Sequence, residues 1–190
     1  LVIGSTTPMA TTTTSDGSGD FSFSTSSANL AADLPLVLFV DADGTTRAAA
    51  ITKASSSDSN IANFDLYQNT VIVKQEGSTS TSLADLAVYD STDDADLQYT
   101  ATAATDVLTV ASGNTFLIKD GSTFEAGGAA GNLSFADVTI AGTFIASSTQ
   151  TISVSGNWHK TSGGTFTPAA SDVTMTAASG NHTINGNFYD

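Results

Sequence analysis

The segment Val138-Thr139-Ile140-Ala141-Gly142-Thr143-Phe144 determines the predicted fold, because a short β-branched strand is followed there by a glycine and a phenylalanine. Related phrases recur at Gly121-Ser122-Thr123-Phe124, Gly164-Thr165-Phe166 and Gly186-Asn187-Phe188. The phenylalanines stand at positions 124, 144, 166 and 188, so that successive intervals are 20, 22 and 22 residues. A period of about 20 residues is typical of a solenoid, in which each coil stacks on its neighbours.

This repeat predicts which side chains stack. Phenylalanine would lie on phenylalanine in successive coils, and valine or isoleucine on its equivalent. Glycine would form the sharp corner between strands, because it adopts positive φ without strain. An antiparallel sandwich with evenly spaced hairpins is the alternative architecture, and the matched phrases favour the solenoid over it.

Strand signals also extend along the rest of the chain, whereas apolar residues at helical spacing with caps at both ends are missing. Short β-branched or aromatic runs bounded by turn residues occur at 21–24, 36–40, 70–73, 106–110 and 173–176. The sequence therefore predicts an all-β protein in three parts. These are an extended N-terminal arm at 1–15, a β-sandwich-like domain at 16–105, and a short parallel β-solenoid, or β-helix, at 106–190. An ordinary first strand with a frayed terminus is an equal alternative to the arm.

Charge and composition limit the partners. The chain has 5 Lys and Arg and 19 Asp and Glu, which gives a net charge of −14. Such a surface repels phosphate backbones and anionic lipid, so neither a nucleic-acid partner nor a membrane-surface role is expected. The longest apolar run, 34–40, is far shorter than the roughly 20 residues that span a bilayer, so no membrane insertion is expected.

The cellular location is inferred from the start of the chain and from its cysteine count. The chain begins with Leu1 rather than Met, and no stretch shows a basic flank, an apolar run and a small-residue cleavage site. Cysteine is absent, which excludes disulfides, thiolate metal sites and a cysteine nucleophile. We therefore expect a processed, secreted chain that is extracellular or at the cell surface.

Two segments resemble known bacterial surface proteins. Ser155-Gly156-Asn157-Trp158, Gly164-Thr165-Phe166, Ser171-Asp172-Val173 and Ile184-Asn185-Gly186-Asn187-Phe188-Tyr189 are similar in order and spacing to a repeat of large exported bacterial proteins. This resemblance implies a surface-exposed β-solenoid without a known catalytic site. The phrase D-x-x-G-x-F-x-F at residues 16–23 resembles the small immunoglobulin-like sandwich modules of such proteins, where it precedes a core strand.

Candidate catalytic groups are sparse. A Ser-His-Asp site needs a positioned imidazole, and the chain has only His159 and His182, each next to a turn or at a strand start. Polysaccharide lyases and hydrolases on parallel β-helices need paired carboxylates or a calcium cluster with a basic residue. The acidic residues of the predicted solenoid are scattered along it, so we expect the protein not to be an enzyme.

No cofactor is required by this reading, and calcium is the candidate ion. Asp16 and Asp20, and likewise Asp41 and Asp43, have the spacing of oxygen ligands in a turn, but neither pair is followed by the bidentate glutamate of an EF-hand loop. A third acidic group is formed by Asp90, Asp93, Asp94 and Asp96. Solvated turns are the alternative, because Asp and Gly favour local hydrogen bonding there.

Sugar is expected in two ways, as a modification or as a ligand. Asn132 and Asn181 stand in N-glycosylation acceptor patterns, which predicts a glycoprotein. Exposed aromatic side chains would stack on sugar rings in an adhesin or carbohydrate-binding module, although such side chains are more often part of the core. The aromatic candidates are Trp158, Tyr67, Tyr89, Tyr99 and Tyr189.

The function predicted first is structural. The last predicted strand, with Ile184, Phe188 and Tyr189, would present unpaired N–H and C=O groups that template pairing with another chain. The apolar start Leu1-Val2-Ile3 of a neighbouring copy would cover that edge as a donor strand, giving a head-to-tail homopolymer. The alternatives are closure of the edge by the chain's own loops and, for function, the adhesin or carbohydrate-binding module.

Overall fold

The computed structural model describes residues 1–4, 20–24, 29–41, 46–56, 60–128, 130–147, 149–177 and 183–185. Within these ranges the chain forms seventeen strands and one short helix. In chain order the elements are β1 (Val2–Ile3), β2 (Pro35–Phe39), β3 (Ala49–Lys53), β4 (Thr70–Val73), β5 (Thr81–Ser82), α1 (Leu83–Leu86), β6 (Tyr99–Thr102), β7 (Val107–Val110), β8 (Thr115–Ile118), β9 (Thr123–Glu125), β10 (Asn132–Phe135), β11 (Asp137–Ile140), β12 (Thr143–Ile145), β13 (Thr151–Val154), β14 (Trp158–Lys160), β15 (Thr165–Thr167), β16 (Asp172–Met175) and β17 (Ile184–Asn185).

These strands form three sheets around a main hydrophobic core, and Ile3, Leu36 and Ala54 form a second, small cluster. The eight-stranded sheet has the order β1-β2-β3-β4-β8-β11-β14-β17, the five-stranded sheet β16-β13-β10-β7-β6, and the four-stranded sheet β15-β12-β9-β5. From β8 onward the chain visits the eight-, four- and five-stranded sheets in turn, and each set of three strands closes one coil. Neighbouring coils pair in parallel, for example with Val138 opposite both Phe116 and Trp158. The predicted all-β fold with a parallel β-solenoid is confirmed.

Phenylalanine stacks on phenylalanine in the core, as the repeat predicts. Phe144 lies in register between Phe124 and Phe166, with ring centroids 5.5 and 5.3 Å away. All three side chains are at most 2% exposed. Trp158 also packs against Phe166, at 5.0 Å. Phe188, the fourth member of the predicted column, lies outside the described residues.

The expected reason for the corner glycines is wrong at two of them. Gly121 does adopt a positive φ of 71°, but Gly142 and Gly164 do not. A Cβ on Gly142 would lie 2.2 Å from the carbonyl oxygen of Ser122, and one on Gly164 would lie 2.1 Å from that of Ile140. Glycine is needed at these corners because the backbone of the preceding coil approaches too closely for any side chain.

The N-terminal strands continue the solenoid sheet. β3 pairs in parallel with β4, and β4 pairs in parallel with β8, so parallel stacking reaches back to Ala49–Lys53. β2 runs antiparallel to both β1 and β3, which gives β1 the same direction as the solenoid strands. Among the described residues of 16–105, the strands add to the three solenoid sheets and do not build a separate two-sheet sandwich.

A one-turn helix covers the core beside β5 and β6. Ser82 is the N-cap of α1, and its hydroxyl and the Asp85 carboxylate form a reciprocal capping box. Leu83 and Leu86 are fully buried in the same core as the phenylalanine column. No helix in the described part of the chain is long and apolar enough to cross a membrane.

The described N-terminal residues form an ordinary first strand, which is one of the two predicted alternatives. Val2 and Ile3 are 0% and 4% exposed and pair with Val37 and Leu36 of the same chain, and Leu1 is half-buried. Residues 5–15 of the predicted arm lie outside the described residues.

Candidate functional site

Apolar side chains on the last described strands of the solenoid, β16 and β17, are partly exposed. Ile152 and Val154 of β13 are fully buried, whereas their partners in β16, Val173 and Met175, are only partly buried. Ile184 of β17 is 49% exposed. The partners of these three residues in the preceding coil, Ile152, Val154 and Trp158, are fully buried, so Val173, Met175 and Ile184 are partly exposed apolar groups on the last described strands, β16 and β17.

At the opposite end of the eight-stranded sheet, β1 is the outermost described strand. Its hydrogen bonds to β2 are extended by the amide of Gly4, which donates to the carbonyl oxygen of Pro35 at 2.8 Å. The assembly residues proposed from sequence are therefore divided between the two ends of one sheet, with Leu1, Val2 and Ile3 at one end and Ile184 at the other. Phe188 and Tyr189 lie outside the described residues.

All five basic side chains make polar contacts within the chain. Lys160 is buried in the core side of β14, where its ammonium donates to the carbonyl oxygen of Gly164 at 2.8 Å. The other four form ion pairs, which are Arg47–Asp96 at 3.7 Å, Lys53–Asp85 at 3.4 Å, Lys74–Glu76 and Lys119–Asp65. Since the chain has 5 Lys and Arg in total, the remaining carboxylates give the surface its acidic excess.

Two of these lysines fasten the segment before β4. Lys74 donates to the carbonyl oxygen of Ala62 at 2.6 Å, and Lys119 to that of Asn63 at 3.1 Å. Burial lowers the pKa of Lys74, the neighbouring Lys119 lowers it further, and Asp65 acts in the opposite direction. These contacts are structural, because both ammonium groups donate to backbone carbonyl oxygens of the segment before β4.

The predicted calcium ligands are not brought together among the described residues. Asp20 and Asp41 are exposed, and Asp16 and Asp43 lie outside the described residues. No group of three or more His, Asp or Glu side chains in the described part of the chain is arranged to hold a metal ion. A structural calcium ion stays a prediction.

The third acidic group is made of hydrogen-bonded turns. Asp90 is 3% exposed and accepts from the amides of Thr92 and Ala101 at 2.7 and 2.6 Å. Asp93 accepts from the amide of Asp90 at 3.1 Å, and Asp94 from the amide of Asp96 at 3.0 Å. The local acceptor role agrees with the turn alternative at Asp93 and Asp94. Asp90 differs from a solvated turn, because it is buried and also accepts from the distant Ala101.

The aromatic residues proposed to stack on sugar are mostly in the core. Trp158, Tyr99 and Tyr89 are 0%, 1% and 2% exposed, and Tyr67 is 48% exposed. Trp158 is buried because it lies opposite Val138 in the inward row of the eight-stranded sheet. Tyr189 lies outside the described residues. The interpretation that places Trp158 on a sugar-binding surface is wrong.

Four other sequence candidates fall at the surface or outside the described residues. His159 is exposed on the outward side of β14, and His182 lies outside the described residues. Asn132 is exposed at the start of β10, and Asn181 also lies outside. Glycosylation at Asn132 therefore stays a prediction on an accessible residue.

Tyr99 is a buried phenol with a perturbed pKa. Its hydroxyl donates to the carbonyl oxygen of Tyr89 at 2.7 Å. Burial raises the pKa of Tyr99 well above its ordinary value of 10.0, and the carboxylates of Asp90 and Asp93 raise it further. The folded protein therefore retains a proton that the unfolded chain releases near the ordinary pKa.

We expect the free energy of unfolding to fall as the pH rises above about 10, by up to about 1.4 kcal/mol per pH unit from Tyr99. This stabilisation is complete below the unfolded pKa and is lost as the pH rises toward the higher folded pKa. Urea unfolding from about pH 8 to about pH 11 measures it. A Tyr99→Phe variant should be about 1 kcal/mol less stable at neutral pH, because it loses one hydrogen bond. A stability gap between the two proteins that does not shrink with rising pH would contradict the assignment.

A groove that the sequence did not predict lies at the five-stranded sheet. It has a volume of about 180 Å³. Its hydroxyl-bearing residues are Ser112, Ser134, Ser153, Ser155 and Thr176. Its apolar residues are Val110, Phe135 and Ala136. The signal in the sequence was the recurrence of a serine two residues after the start of β10 and of β13, at Ser134 and Ser153. Ser and Thr are so frequent in this chain that this recurrence did not stand out.

Comparison of the chain with protein-family models, with curated proteins and with solved structures found no significant match in any of the three.

Proposed function

We propose that this protein is a structural subunit of an extracellular bacterial filament, fibre or surface layer, whose copies assemble head-to-tail through strand edges. The observation that supports this most is the direction of β1. Because β1 runs parallel to β17 at opposite ends of one sheet, the β1 of one copy could extend the β17 edge of another without reversing the sheet.

The side chains at the two ends also favour stacking. Val173 and Met175 are only partly buried and Ile184 is 49% exposed. A following layer of β-structure would bury their apolar surface, as each coil buries that of the coil before it. Unpaired backbone groups on an outermost strand favour the addition of another strand. The location outside a bacterial cell is proposed from the resemblance of the repeat to exported surface proteins.

Sedimentation velocity and negative-stain electron microscopy over a range of concentrations test this function. The wild-type protein is expected to form regular filaments as concentration rises. Ile184→Asp should raise the concentration needed for assembly by about tenfold or more, because it places a charge in the junction.

Tyr67→Asp is the matched control, since Tyr67 is 48% exposed and Ile184 is 49% exposed. Tyr67 lies before β4, away from β1 and β17, so its variant should assemble like the wild type. Dispersed wild-type monomers at every concentration, or equal loss of assembly in both variants, would overturn the proposal.

A carbohydrate-binding or adhesin role is the second candidate. The observation that favours it is the hydroxyl-lined groove on the five-stranded sheet. The aromatic residues Trp158, Tyr89 and Tyr99 do not support it, because they are buried.

A further inference from the structure

We propose that the groove on the five-stranded sheet binds an extended, uncharged glycan laid across successive coils. This inference specifies the second candidate function. No lining residue belongs to β1 or β17, but Thr176 directly follows Met175 of β16, so the inference is tested at Ser134 and Ser153, in strands that are paired on both sides. Its premises are the repeat of hydroxyls along the groove, the absence of charge from its described lining, and the pairing of its strands.

The hydroxyls form rows that follow the solenoid axis. Ser134 lies opposite Thr109 on one side and Ser153 on the other, and Ser153 lies opposite Thr174. Ser134 and Ser153 line the groove, and the exposed Thr109 and Thr174 continue the same row beyond its lining. Parallel strands lie about 4.7–4.9 Å apart, so the row presents a hydroxyl at that interval. An extended chain of sugar rings advances by a similar distance per ring, so its hydroxyls can meet successive coils.

The chemistry of the lining selects a polyhydroxylated ligand. Each serine or threonine hydroxyl can both donate and accept, which matches the hydroxyls of a sugar. Of these side chains, Ser155 makes a weak contact with the carbonyl oxygen of Phe135, at 3.4 Å. Val110, Phe135 and Ala136 are 4%, 3% and 7% exposed, so they form the floor of the groove and the hydroxyls are its accessible groups.

Charge argues against ionic ligands. Among the described residues that line the groove, none is charged. The protein as a whole has a net charge of −14, which repels an anionic polymer, and the groove offers no carboxylate to attract a cationic one. A neutral glycan is not repelled by the net negative charge and does not need a carboxylate in the groove.

Strand pairing argues against a peptide. An extended peptide usually binds by adding to a free strand edge. β10 pairs with β7 and β13, and β13 pairs with β10 and β16, so the two strands that carry Ser134 and Ser153 have no free edge. Thr176 is the one described groove residue that follows an outermost strand, β16. The available groups are side-chain hydroxyls, which favours a sugar.

The test measures binding of neutral oligosaccharides, namely cello-, chito-, manno-, xylo- and malto-hexaoses, to the full chain by glycan array and isothermal titration. An oligogalacturonate and a poly-lysine peptide serve as charged probes. We expect at least one neutral probe to bind, and Ser134→Val with Ser153→Val to weaken that binding by about tenfold or more, since both hydroxyl partners are lost.

Thr123→Val with Thr143→Val is the matched control, because these side chains form the equivalent outward row on the four-stranded sheet. The control should bind as tightly as the wild type, and both double variants should unfold like it. Binding of charged probes alone, no binding of any neutral probe, or equal weakening in both double variants would overturn the proposal. Sedimentation of the same samples separates this outcome from failure of assembly, since the serine variant should still assemble.

Discussion

Replacing Phe144 with alanine is expected to lower the free energy of unfolding by about 3–5 kcal/mol, because a fully buried ring is removed from a core that cannot close around the gap. The ring is 0% exposed and has aromatic neighbours in both adjacent coils. Its centroid lies 5.5 Å from that of Phe124, 5.3 Å from that of Phe166 and 6.4 Å from that of Trp158. The loss therefore affects three successive coils.

Thr143→Ala is the control for Phe144→Ala. Thr143 precedes Phe144 in β12, and its side chain lies on the outward side of the same strand. Its replacement should cost less than about 1 kcal/mol, as expected for a position that is not in the core. Urea unfolding of the two variants measures the difference. Similar losses of stability would mean that the phenylalanine column is not what holds the coils together.

Replacing Gly164 with alanine is expected to destabilise the protein by about 2–4 kcal/mol, because the added methyl group overlaps the preceding coil. The new Cβ would lie 2.1 Å from the carbonyl oxygen of Ile140 and 2.9 Å from its carbonyl carbon. Backbone atoms of a paired strand cannot move aside as a flexible side chain can. The coils would have to separate at this corner.

Gly163 provides the control for Gly164 at the adjacent position. A Cβ on Gly163 meets no atom within 4 Å, and its φ is not positive. Gly163→Ala should therefore leave stability unchanged or raise it by about 0.4–1 kcal/mol, because alanine restricts the unfolded chain. Thermal unfolding of both variants is the measurement. A Gly163→Ala variant as damaged as Gly164→Ala would show that backbone conformation, and not the close approach, decides the requirement for glycine.

The candidate sites were less predictable than the fold. The sequence pointed to Ile184 as an assembly residue, because it belongs to one of the repeated phrases. The structure places it, 49% exposed, on the outermost described strand, β17. The hydroxyl groove could not be anticipated, since it depends on which serines of neighbouring coils become adjacent. The acidic turn at Asp90 looked like a metal site in sequence, but its carboxylate accepts from the amides of Thr92 and Ala101.

The sequence by itself determined the solenoid and its aromatic column. Inward and outward residues alternate along each strand, and phenylalanine returns after 20 and then 22 residues at 124, 144 and 166, so one coil predicts the next. Only the tertiary structure decided three other features. The strands before residue 106 join the solenoid sheet, Trp158 enters the core, and Gly142 and Gly164 avoid a clash with the coil below. Each depends on a backbone or side chain many residues away, whose position is set by pairing between coils and not by local sequence.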